Sequence, residues 1–131
     1  MKQIEIIPFQ ESGYKPLVDF GEWRVAVLKF CDDLLIGNIS YLQKHLLTDE
    51  VFVLLKGECT LFLAGDGERT RELQKVKMHP GNVYVIKKGV WHNHIMTEEG
   101  EVLIVENRNT CDDNSPVIFL TDSEREQLKI L

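Results

Sequence analysis

The chain has 131 residues with 15 basic and 21 acidic side chains, a formal net charge of −6, 44% hydrophobic residues and 3 cysteines. A domain of this size removes roughly two-thirds of its unfolded surface from water, so it needs no disulfide or metal to fold, and any bound ion serves chemistry. The acidic balance disfavours nucleic acid and anionic membrane as partners. The longest apolar run, Val51 to Leu55, is five residues where a bilayer span needs about 20. The opening Met1-Lys2-Gln3-Ile4-Glu5 reaches Pro8 without an apolar stretch of signal-peptide length, and Cys31, Cys59 and Cys111 are far apart with no Cys-x-x-Cys. Both features suit reduced thiols in a cytoplasmic protein, and a single domain over residues 1–131 is expected.

In chain order, short alternating or apolar runs predict strands over 3–9, 23–30, 34–45, 50–56, 59–64, 69–78, 83–86, 91–97, 101–106 and 117–120, and the chain reads as all-β. Turn residues separate them: Asp32-Asp33, Gly57-Glu58, Gly65-Asp66-Gly67, Pro80-Gly81, Lys88-Gly89 and Glu98-Glu99-Gly100. The polar stretch 107–116 (NRNTCDDNSP) is a surface loop or a lid over a site, with the surface loop preferred. At the C-terminus, Thr121 with Glu124 forms a capping box, and Leu128 with Leu131 gives one apolar edge, predicting a short helix on the sheet. Ten short strands without a repeat imply a sandwich or barrel.

Four residues with donor side chains sit on three of these segments: Gln43 and His45, Glu50, and far downstream His92. Gln43 and His45 are two apart and share a strand face. The short link from Leu46 to Asp49 brings Glu50 beside His45. Carried through each strand, the alternation turns Ile39, Tyr41, Phe52, Leu54, His94 and Met96 inward as well. That predicts a mainly apolar cavity with one phenol and one spare imidazole, suited to a small molecule. His79 reads as a turn residue, and Cys31 and Cys59 as core fillers.

The order Gly37, five residues, Gln43-Lys44-His45, four residues, Glu50, six residues, Gly57, followed by Gly81, Lys87-Lys88-Gly89, His92 and Met96, resembles the two motifs of the cupins. Gln43 stands where the first motif has its first His. Lys87 and Met96 replace the Pro and Asn of the second. The matched segment runs from Gly37 to about Met96. The resemblance implies a cupin-type jelly-roll β-barrel with a short C-terminal helix. It also implies a divalent metal (Fe, Mn, Ni or Zn) held by His45, Glu50 and His92, with Gln43 in the fourth place. A Gln-x-His pair on the metal is similar to that of type I phosphomannose isomerases, without implying their activity.

Two functions are consistent with that resemblance. One is a metal-dependent enzyme, dioxygenase- or isomerase-like, acting on a small molecule with Tyr41 or His94 as proton donor or base. The other is a non-catalytic small-molecule-binding or sensor cupin, which the substitutions at Gln43 and Met96 favour. His94 is read as a ligand substitute, a proton carrier or a hydrogen-bonded pocket residue. Small cupins commonly form homodimers, for which Phe9, Tyr14, Phe20 and Trp23 are interface candidates.

Overall fold

A computed structural model describes residues 3–131. Ten strands make two five-stranded antiparallel sheets. In chain order they are β1 (Gly13–Phe20), β2 (Trp23–Lys29), β3 (Tyr41–Gln43), β4 (Glu50–Lys56), β5 (Cys59–Leu63), β6 (Gln74–Lys77), β7 (Tyr84–Ile86), β8 (His92–Met96), β9 (Glu101–Asn107) and β10 (Val117–Phe119), followed by helix α1 (Asp122–Ile130). The first sheet has the order β1-β2-β9-β4-β7 and the second β10-β3-β8-β5-β6. Among the described residues no strand ladder joins the two, so the jelly roll is an open sandwich and not a closed barrel.

The alternation in β4 decides which side faces in. Glu50, Phe52 and Leu54 are buried while Val51 and Val53 are half-buried on the far side. The same register in β9 aligns Phe52 with Ile104 and Leu54 with Val102. With Ala26, Leu28, Leu61 and Met96 they form the core between the sheets. A second apolar cluster lies on the other side of the second sheet, where Leu42, Phe62 and Trp91 meet Leu128 of α1. The Thr121 side chain accepts from the Glu124 amide, and Glu124 caps the Thr121 amide in return, so the predicted capping box is present.

Two turns require glycine. Gly57 has φ of +69°, and a Cβ there would come within 2.8 Å of the Gly100 backbone. Gly89 has φ of +82° and donates its amide to the His45 carbonyl at 2.8 Å, tying the turn before β8 to the site.

Several expectations are corrected. Residues 3–9 form no strand: Ile4 and Ile6 are 70% and 83% exposed and alternate against nothing. The missed first strand is β1, whose Pro16 and Gly13 hid its pattern and whose register shifts between Pro16 and Val18. Of 34–45 only Tyr41–Gln43 is strand, because 3-10 turns occupy Asp32–Leu34 and Ile36–Asn38. The 69–78 strand begins only at Gln74.

Candidate metal centre

His45, Glu50 and His92 converge at one end of the sandwich. Glu50 opens β4 in the first sheet, His92 opens β8 in the second, and His45 lies in the link that crosses between them. Their ligand atoms lie within 4.8 Å of one another. Glu50 Oε1 is 3.4 Å from His45 Nε2 and 3.1 Å from His92 Nε2, and the two imidazole rings stand edge to face with centroids 5.2 Å apart.

The outer nitrogen of each ring is committed. His92 Nδ1 donates to the Val90 carbonyl at 2.9 Å, so Nε2 is the nitrogen turned to Glu50. Ser115 Oγ gives its proton to Asn114 Oδ1 at 3.2 Å, so it accepts from His45 Nδ1 at 2.7 Å and leaves His45 Nε2 turned to Glu50 as well. Two fixed imidazoles aimed at one carboxylate oxygen are the orientation that metal-binding histidines take from their outer hydrogen bonds.

Gln43 pairs with His92 across β3 and β8. Its amide nitrogen donates to the Ser115 carbonyl at 2.9 Å, leaving the amide oxygen as its available donor atom. His45 lies beyond the end of β3. Its neighbours bond to the polar loop, Lys44 N to Pro116 O at 3.1 Å and Leu46 N to Asn114 O at 3.0 Å. Loop 107–116 is therefore a wall of the site, correcting its reading as an ordinary surface loop: Thr110, Cys111, Asp112 and Ser115 line the cavity.

That cavity measures about 590 Å³, a volume suited to a small metabolite. It is more polar than the alternation predicted. Phe52, Leu54 and Met96 point inward as expected but pack into the core, and Arg24, Asp33, Glu106 and Tyr14 line the cavity. Tyr41 lines it while 39% exposed, its ring edge-on to Phe119. His94 rests edge-on to Phe52 at 5.5 Å, and its Nδ1 is buried with no hydrogen-bond partner. Cys59 is core, whereas Cys31 packs at the core edge and also lines the cavity.

Glu106 is the residue that sequence reasoning missed. On β9 it occupies the inward position after Ile104, is 6% exposed, and accepts a hydrogen bond from the Tyr14 hydroxyl. Tyr14, an interface candidate from the sequence, thus lines the site. The signal was present in the β9 alternation, where Val102, Ile104 and Glu106 share a face.

The two carboxyls are driven apart. Burial alone would raise Glu50, but hydrogen bonds from His45 and His92 and the field of His92 outweigh it and hold Glu50 well below the usual carboxylate range. Burial, then the hydrogen bond and charge of Glu50, push Glu106 up to about 7. Burial lowers His94 to about 4, so its imidazole is neutral at neutral pH.

The sequence model of the family described as D-lyxose isomerase matches residues 33–128, which include all four predicted ligands. The chain belongs to the D-lyxose isomerase family. The match to the D-lyxose isomerase family also takes in Glu106 and the 107–116 loop, while β1 and β2 precede it. No curated protein matches the chain. Among solved structures, a cupin-2 domain protein from Shewanella frigidimarina is 25% identical, covering 76% of this chain and 85% of that one with a TM-score of 0.53. The TDP-fucose-3,4-ketoisomerase WlaRA from Campylobacter jejuni is 15% identical over 80% and 85% of the two chains, with a TM-score of 0.56. The nucleoside dehydratase Pac13 from Streptomyces is 10% identical over 88% of each, with a TM-score of 0.58. The last two likenesses are of fold alone, and with the first they agree with the cupin architecture described above.

Proposed function

We propose that the chain is a divalent-metal-dependent isomerase that shifts the carbonyl between the first two carbons of a small free sugar of the lyxose type. The observation that carries this reading is the convergence of His45, Glu50 and His92 on a cavity that also holds Glu106, in a chain of the D-lyxose isomerase family. The donors fit a divalent ion: two Nε2 atoms that would give up their protons to it, one ionised carboxylate and the Gln43 amide oxygen suit Fe, Mn, Ni or Zn alike. Bound there, the ion would supply a Lewis acid for the substrate's carbonyl.

The protein's own residues move the protons. Isomerisation removes the hydrogen from C2 as a proton and delivers one to C1, while a proton passes between the two oxygens. Glu106 is the group for the carbon-bound proton: it lies in the cavity against Glu50, takes the Tyr14 hydroxyl bond, and near neutral pH can both accept and release. Neutral His94, with an unpaired Nδ1, serves as a hydrogen-bonding group to a sugar hydroxyl, and Tyr41 lines the same cavity.

The test is D-lyxose with Mn(II) in D2O followed by proton NMR. Ketose formation with deuterium entering the carbon skeleton is expected, and Glu106→Gln should lower kcat by about 100-fold or more with metal content unchanged. Absence of ketose with each of the four metals refutes the isomerase. The binding-only reading is favoured by the neutral Gln43 donor, and thermal stabilisation by a sugar that is never turned over would establish it.

A further inference from the structure

One rung of the first sheet is charged from the edge strand to Glu50. Register places Asp19 of β1 opposite Arg24 of β2, and Arg24 opposite Glu106 of β9. Val105 pairs with Val51, so the next residues along, Glu106 and Glu50, face each other across β9 and β4. Directly opposed residues share a face of the sheet, here the inward face on which Ala26, Phe52 and Ile104 are buried.

Tyr14 reaches the same group because β1 is bulged. Tyr14 and Asp19 are five residues apart, an odd step that would put them on opposite faces of a regular strand. The register shift between Pro16 and Val18 takes up one residue and turns both inward. The Asp19 carboxylate then accepts two bonds from the Arg24 guanidinium, at 2.8 Å from Nε and 3.1 Å from Nη2. The guanidinium so fixed lies beside the Tyr14 hydroxyl, whose one proton goes to Glu106 Oε1. Both β1 and β2 precede the matched segment 33–128, so Tyr14, Asp19 and Arg24 come from outside it and act on a residue within it.

We infer, resting on the isomerase reading above, that Tyr14 is a positioning residue for Glu106 and that the β1–β2 hairpin completes the site by holding it. A carboxyl group turns easily about its last bond. The Tyr14 bond pins Oε1 and with it the plane of the Glu106 carboxyl. Proton transfer to and from carbon depends on that plane, because the reacting atoms must meet in line at about 3–3.5 Å. Arg24 occupies the acceptor side of the Tyr14 oxygen, so the hydroxyl proton is left for Glu106, and Asp19 keeps Arg24 from turning into the cavity that it lines.

Tyr14→Phe, assayed with D-lyxose beside the wild type, tests this. The substitution keeps the ring at a position 42% exposed, so the domain stays folded. A fall in kcat of about 10-fold to 100-fold is expected, with KM and metal content within about twofold of wild type. In a Glu106→Gln background the same substitution should change kcat no further, since the two side chains act as a unit. A raised KM at unchanged kcat would make Tyr14 a sugar contact and overturn the inference, as would a kcat within about twofold of wild type. A second measurement needs no turnover. The infrared C–O band of Tyr14, isolated as the difference between wild type and Tyr14→Phe, should move in Glu106→Gln and in Arg24→Met. A band that stays in place overturns the inference whether or not the wild type acts on D-lyxose. A wild type that forms no ketose while the band moves refutes the isomerase and upholds the chain from Asp19 to Glu106.

Discussion

Ser115→Ala removes one oxygen that is not itself a metal donor, and metal affinity should nevertheless fall. In the wild type the hydroxyl is 4% exposed as part of a buried residue, accepts from His45 Nδ1 at 2.7 Å and spends its own proton on Asn114. Without it the ring loses the bond that keeps the proton on Nδ1. Either tautomer then becomes available, and the buried N–H has no partner. Removing such an outer bond typically costs about 10–100-fold in metal affinity, equivalent to about 1.4–2.8 kcal/mol. The bond from Gln43 is unaffected, because it ends on the Ser115 backbone carbonyl. Competition against a chromophoric chelator measures the effect directly, and the metal-free variant should lose about 1–2 kcal/mol of stability from the broken Ser115 bonds. An affinity within twofold of wild type, in a variant that remains folded, would refute the role assigned to His45.

Three other outcomes are expected. His92→Ala should abolish stoichiometric metal, and chelation of the wild type should leave far-ultraviolet circular dichroism unchanged, since both apolar clusters close without the ligands; an unfolded apo form contradicts this. Leu128→Ala, at a position 3% exposed beneath α1, should cost about 2–3 kcal/mol, read from denaturant midpoints with the metal site intact. The Arg24 guanidinium holds the Asp19 carboxyl below its usual value through bonds at 2.8 and 3.1 Å. That contribution is present above about pH 4, where the unfolded carboxyl is ionised, and is lost as pH falls through the lower folded value. Asp19→Asn should therefore flatten acid destabilisation below pH 4, and an unchanged profile would remove the pair from the account.

The strands that the sequence reveals well are those with one clean buried face. β4 alternates from Glu50 to Leu54 and β9 along its whole length, and their predicted bounds are within one residue of those found. β1 was hidden because a proline and a register shift break its period, while residues 3–9 alternate but find no partner within the chain. The candidate ligands were legible because their spacing follows the loop lengths that link the strands. Glu106 was not, since a carboxylate after an apolar run looks like a strand end until the opposite sheet closes over it. The role of the 107–116 loop was equally opaque: composition marks it as polar, and only the bonds of Lys44 and Leu46 to it reveal that it braces His45.

Ser115 also links properties that would otherwise vary one at a time. Its hydroxyl orients His45, its carbonyl anchors Gln43, and its backbone belongs to the loop that forms one wall of the cavity. A lengthened or shortened loop would reshape the space for the substrate and disturb two donors in the same event. Changes in the cavity's size should therefore proceed through other lining residues, such as Tyr41, Arg24 or Asp33, with the loop inherited nearly unchanged.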